Sequence, residues 1–260
     1  MRLIVTRPQP QADDWVARLR REGIEAAALP LIAIAPPADP VPVHAAWQVL
    51  GHYALVVFVS PNAVQRFFQA APAGAAWPPG VWAGSPGPGT TQALAEAGVP
   101  PAACVAPAAD APQFDSESLW VQLQTLRDWG GARVLIVRGD GGREWLAQTL
   151  RDRGAQVDTV AAYRRGAPTL SGAERETLAR ALQEPSMNVW LFSSSEALPH
   201  LRQLAPAADW RPARAWATHP RIADHARAAG FGEVQALRPG WAPLLAAWRG
   251  QGHSIQSAAP

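Results

Sequence analysis

The chain has 260 residues, 48% of them hydrophobic, and a formal net charge of only +2. That length suits one large α/β domain or two small ones. All 23 basic residues are arginine, and without a lysine amine Schiff-base, pyridoxal-phosphate and Walker-type phosphate-loop chemistries are excluded.

Leu3-Ile4-Val5 opens the chain as a short apolar strand, and Thr6-Arg7-Pro8 is the polar turn after it. A helix follows, with Trp15, Val16 and Leu19 on one face. Gly23 stands where a helix needs its left-handed C-terminal residue. Ala26 to Ile34 reads as the next strand, and Pro36 to Pro42 as a stiff, extended linker. ALVVFVSPNAV (54–64) is a strand running through Ser60-Pro61-Asn62 into a helix. GVWAGSPGPGTTQALAEAGV (80–99) is a strand, a Ser85 to Thr91 turn and a helix closed by Gly98. After the Pro100 to Pro112 loop, VLIVRGDGGREWLAQTLRDRGAQ (134–156) again gives strand, turn and helix, and Val157 to Tyr163 a further strand. NVWLFSSSEAL (188–198) leads a strand into Ser193-Ser194-Ser195. ARAWATHPRIADHARAAGF (213–231) carries the turn Thr218-His219-Pro220-Arg221 and a helix closed by Gly230. Gly250 to Pro260 reads as a frayed tail.

These modules repeat. Residues 3–25 match 134–156 at a constant offset, with Arg7 on Arg138, Leu19 on Leu150, Arg20 on Arg151 and Gly23 on Gly154. Residues 54–64 resemble 188–198, with Phe58 on Phe192 and Ser60 on Ser194. Residues 80–99 resemble 213–231 more loosely. Strands alternating with helices in this way predict parallel sheets covered on both faces, in two similar α/β domains.

In such sheets ligands bind at the carboxyl ends of strands. The turns found there carry hydroxyls, small residues and arginines, which is equipment for holding anions rather than for acid–base hydrolysis. Candidate ligand-holding residues are Arg7, Ser60, Asn62, Thr90, Arg138, Ser193, Ser194, Thr218 and His219. Each Ser or Thr has a plain alternative as a helix cap, and each Arg as a surface ion-pair partner. Gly139-Asp140-Gly141-Gly142 lacks the full dinucleotide spacing. His219 and His225 lack the further ligands of a zinc site, so no metal is expected. Cys104 has no second cysteine to pair with. The arginines are scattered, which argues against nucleic acid, and no apolar stretch is long enough to span a membrane. A cytoplasmic protein is expected.

LIVTRP, PLIAI, VVFVSPNAV, the Thr90-bearing turn, VLIVRGDGGREWL, AAYRR and LFSSSEAL follow one another in the order typical of uroporphyrinogen-III synthases, and over about residues 1–245 the chain resembles that family. The resemblance implies that each early strand–helix module packs with the later modules of the other repeat. One domain then comprises 1–36 plus 166–260, and an inserted domain comprises 43–162. Linkers fall at 37–42 and 163–165. It implies a monomer without cofactor that cyclises hydroxymethylbilane, a linear tetrapyrrole with eight carboxylates, to uroporphyrinogen III in haem biosynthesis. Ser60, Thr90, Ser193 and Ser194 match the family's binding turns, and Tyr163 its cleft tyrosine, a candidate to assist departure of the substrate hydroxyl. The last turn departs from the family's glycine-to-threonine pattern, so Thr218 or His219 is expected to substitute there. The rival reading is a non-catalytic, two-lobed binding protein for a multi-anionic ligand.

Overall fold

The computed structural model describes the backbone of residues 1–256 and the side chains of residues 1–251. In chain order the first elements are β1 (Arg2–Val5), α1 (Gln11–Arg21), β2 (Ala26–Ala28) and β3 (Ala33–Ala35). Next come α2 (Val41–Gln48), β4 (Leu55–Phe58), α3 (Pro61–Gln69), β5 (Trp82–Gly84), α4 (Pro88–Glu96), β6 (Cys104–Val105) and α5 (Ser116–Leu126). β7 (Arg133–Gly139), α6 (Trp145–Asp152), β8 (Gln156–Gly166) and α7 (Gly172–Gln183) follow. The chain ends with β9 (Asn188–Phe192), α8 (Ala197–Leu204), β10 (Arg214–Ala217), α9 (Pro220–Ala228), β11 (Glu233–Ala236) and α10 (Trp241–Gln256). Two units result: Met1–Ile34 with Gly166–Pro260, and Ala35–Arg165.

The first unit holds a five-stranded sheet in the order β11-β10-β9-β1-β2, and its pairs are parallel. Its central strands are apolar at successive positions because both faces are covered. The two-residue period of a strand divides them. Ile4, Trp190, Phe192, Ala215 and Ala217 join one core, with Leu178 of α7, Leu201 of α8 and Ile222 of α9. Leu3, Val5, Val189, Leu191 and Trp216 join the other, with Val16 and Leu19 of α1 and Leu244 of α10. Helix α1 carries Asp13 and Asp14 in its first turn and Arg18, Arg20 and Arg21 in its last, as its macrodipole favours. Gly23, with φ 74°, turns the chain out of it.

The second unit holds a six-stranded sheet in the order β3-β8-β7-β4-β5-β6. Leu55, Val57, Val134 and Ile136 meet Leu119 and Leu123 of α5 and Leu146 and Leu150 of α6. Phe58 points the other way, into a group of rings that includes Phe67, Phe68 and Trp77. Trp47 of α2 stacks on Phe67 there and donates its indole N–H to the Phe67 carbonyl at 2.8 Å.

Three expectations change. The single strand read at Ala26 to Ile34 is two: Pro30 has no N–H to give a ladder, and β2 and β3 belong to different sheets. The segments read as linkers lie partly in regular structure, since Val41 and Pro42 open α2 and Tyr163 to Arg165 belong to β8. The tail read as frayed from Gly250 is helical through Gln256, while 257–260 lie outside the described residues. Helix α10 overrides its poor propensity at Gly250 by packing Leu244, Leu245 and Trp248 against the first unit's core.

Candidate functional site

In the second unit the order of connection reverses between β4 and β7, and a crevice at the carboxyl ends of such strands is where open α/β sheets place ligands. Ser60 follows β4 there. It is the N-cap of α3, in extended backbone, and its Oγ accepts from the Ala63 N–H at 3.2 Å. Tyr163 reaches the same place from β8. The Ser60 and Tyr163 hydroxyls are 3.0 Å apart and hydrogen-bonded, with either able to donate.

A bulge puts the tyrosine there. Arg138 pairs with Ala161 but Gly139 with Tyr163, so Ala162 is an extra residue in β8. The alternation of the strand breaks, and Ala162 and Tyr163 are both buried. Gly139 makes room for the ring. A Cβ at that position would stand 3.1 Å from Tyr163 Cε2 and Cζ. The Tyr163 carbonyl also accepts from the Asp140 N–H at 3.0 Å. The other tyrosine, Tyr53, is differently employed. Its hydroxyl donates to Asp158 at 2.9 Å, and burial, together with that carboxylate, pushes its pKa up to about 12.

The remaining second-unit candidates divide. Asn62 is buried in the first turn of α3. Thr90 is buried in α4 and does not cap it; the turn before α4 is tied instead by Ser85, whose hydroxyl donates to the Gly87 carbonyl at 2.9 Å and meets the Thr91 hydroxyl at 2.9 Å. Arg138 is ion-paired with Glu144, so its charge already has a partner.

In the first unit the reversal lies between β1 and β9. Thr6 follows β1, buried, and donates its hydroxyl to the Leu191 carbonyl at 2.7 Å. Arg7 comes next. Its guanidinium lies over the Trp15 ring, 4.3 Å from the centroid, and its Nε is buried with no acceptor. Burial pushes its pKa down to about 10. Ser193 and Ser194 follow β9, half-buried, and Ser194 Oγ accepts from the Glu196 N–H at 3.3 Å. Thr218 follows β10, its N–H donating to the Phe192 carbonyl at 3.0 Å. His219 is the N-cap of α9; its Nδ1 accepts from the Arg221 N–H at 3.1 Å.

The structure thus joins Ser60 to Tyr163 directly and leaves Arg138 occupied elsewhere. The sequence does not show Gly139 as the floor under the ring or Trp15 as the partner under Arg7, whereas the Ser85 to Thr91 turn is legible in it. The glycine-rich run at 139–142, which lacks the full dinucleotide spacing, is the sequence signal for Gly139. Among the described residues no three His, Cys, Asp or Glu side chains gather as a metal site, and no helix is long and apolar enough to cross a membrane.

A family model described as uroporphyrinogen-III synthase HemD matches residues 13–246. The uroporphyrinogen-III synthase of Escherichia coli is 32% identical over 226 residues, covering 85% of this chain and 86% of that one. That of Salmonella typhimurium is 32% identical over 218 residues, covering 79% and 80%. The solved structure of a mutant uroporphyrinogen III synthase from Thermus thermophilus covers 99% of each chain with a TM-score of 0.59; at 19% identity it attests the fold.

Proposed function

The chain belongs to the uroporphyrinogen-III synthase family, and we propose that it closes hydroxymethylbilane into uroporphyrinogen III, inverting the terminal ring and releasing one water. It is a cyclising lyase acting as a monomer, without metal or organic cofactor. The hydroxymethyl C–O bond breaks as its oxygen takes up a proton. The substituted carbon of the terminal ring attacks the methylene left behind, giving a spiro intermediate that opens and recloses through the ring's free α-carbon, which loses its proton, so that the ring is reversed and the net loss is one water. The substrate closes unaided to the wrong isomer, so much of the enzyme's work is holding one geometry.

The observation that carries the mechanism is the Ser60–Tyr163 hydrogen bond at 3.0 Å. Ser60 Oγ already accepts from the N-terminal turn of α3. When it donates its own proton to the Tyr163 oxygen, the phenol O–H is left to face the departing hydroxyl. Ser60 is then a positioning residue rather than a direct contact with carboxylates. Asn62 and Thr90 in the second unit, and Ser193, Ser194, Thr218 and His219 in the first, offer side-chain and backbone N–H groups at their own strand ends to the substrate.

The test is to supply hydroxymethylbilane and separate the product isomers. Isomer III in excess, with the rate unchanged by exhaustive chelation and dialysis, is the expected result. Isomer I alone, despite binding, would make the chain a non-catalytic carrier of a multi-anionic ligand. A second expectation concerns Gly139→Ala. The new methyl pushes the Tyr163 ring by a few tenths of an ångström, and turnover should fall several-fold with the thermal midpoint little changed. Unchanged turnover would remove Gly139 from the seating of the ring.

A further inference from the structure

We propose that the Arg7 guanidinium, plated on Trp15 at the carboxyl end of β1, is a seat for one carboxylate of the tetrapyrrole chain. The proposal rests on the synthase reading and adds a binding residue to it.

Three observations carry it. The first is that this guanidinium has no counter-charge of its own. It lies over the Trp15 ring, its Nε–H is buried without an acceptor, and burial alone shifts it, no charged neighbour contributing. At a pKa of about 10 it is still protonated at neutral pH. Removing a cation from water without pairing it is a standing penalty to the fold, and an anion supplied from outside relieves it.

The second observation is a control built into the repeat. Arg138 occupies the matching position in the other copy, and there Glu144 supplies a carboxylate. The residue matching Glu144 is Asp13. Asp13 is turned instead to the Gln9 side chain, whose amide donates to it at 3.0 Å. One copy therefore carries an internal anion on its arginine, while Arg7, also acid-flanked in sequence, is left with none.

The third is position. Arg7 follows the strand at which the sheet order reverses, and the half-buried Ser193–Ser194 turn follows β9, the strand paired with β1. A planar fork held against a ring has its orientation set in advance, and a carboxylate fits it with two parallel hydrogen bonds.

The sign of the stability effect separates the two roles. A base whose folded pKa lies below its unfolded value penalises the folded state at every pH below about 10, and the penalty fades as pH rises through that value. Arg7→Met keeps a flexible apolar stem over Trp15 and removes the charge. Its thermal midpoint at neutral pH should be unchanged or higher by a few degrees. Its affinity for uroporphyrinogen III, titrated calorimetrically under anaerobic reducing conditions, should fall roughly 10- to 100-fold. Arg7→Lys, which keeps the charge and loses the fork, should recover part of that loss. A lowered midpoint with unchanged affinity in Arg7→Met would overturn the proposal and make Arg7 a packing residue. Should the wild-type chain neither bind uroporphyrinogen III nor form it, the synthase reading itself fails and the proposal falls with it.

Discussion

Tyr163→Phe is expected to lower turnover roughly tenfold to a thousandfold, at or below the usual span for general acid catalysis. The substitution keeps the ring over Gly139 and the bulge in β8, and removes only the hydroxyl that meets Ser60. Folding should be close to intact, because the lost bond is part-buried and Ser60 Oγ keeps the Ala63 N–H. Some turnover should persist, since the substrate is reactive and the rest of the site still holds it. Tyr53→Phe is the control: its hydroxyl is engaged by Asp158, so isomer III should form at the wild-type rate. The partner variant Ser60→Gly keeps an acceptable helix cap and deletes the hydroxyl. In a double-mutant cycle it should slow the wild type and add little to Tyr163→Phe. An unchanged rate for folded Tyr163→Phe would take the tyrosine out of the chemistry and leave positioning alone.

Asn188→Ala should give the largest loss of stability. Asn188 is fully buried and Arg2 nearly so. The Asn188 Oδ1 accepts from Arg2 Nε at 3.1 Å and Nη2 at 2.9 Å. Its Nδ2 donates to the carbonyls of Ala181 and Glu184 at the end of α7, at 3.3 and 2.6 Å. Alanine leaves a desolvated guanidinium and takes the amide's bond from the Ala181 carbonyl, while the Glu184 carbonyl keeps the Met187 N–H. Burial already lowers the Arg2 pKa, with Arg180 adding repulsion that Glu25 and Glu184 partly offset. The expected cost is about 3 kcal/mol, or roughly 6–12 °C in Tm. Arg2→Met combined with Asn188→Ala should regain part of it, because no charge is then stranded. A loss below about 0.5 kcal/mol for the single variant would mean that water replaces the amide.

Much of the architecture was legible because the relevant forces are local. Leu3-Ile4-Val5, Leu55 to Phe58, Val134 to Val137 and Val189 to Phe192 are unbroken apolar runs, and only a strand covered on both faces tolerates that. Gly23, Gly98, Gly154 and Gly230 all adopt the positive φ expected where their helices end. The internal repeat, the parallel sheets and the polar turns at the strand ends could be read in the same way. Those features depend on spacing of a few residues.

What the tertiary structure alone decided depends on residues far apart. Two similar repeats contain nothing local that says which copy a strand pairs with. β1 pairs with β9 and β4 with β7, and the register sets Arg2 opposite Asn188. The Ser60–Tyr163 contact joins residues from different modules through a one-residue bulge, and a bulge leaves no periodic signal. Arg7 and Arg138 look alike in the sequence, and each has an acid on the following helix. Whether that acid reaches the guanidinium is settled by side-chain direction, and it does so for Glu144 and not for Asp13. Spacing along the chain determined the elements; the sheet register, which brings distant side chains within hydrogen-bond distance, decided which residues form the site.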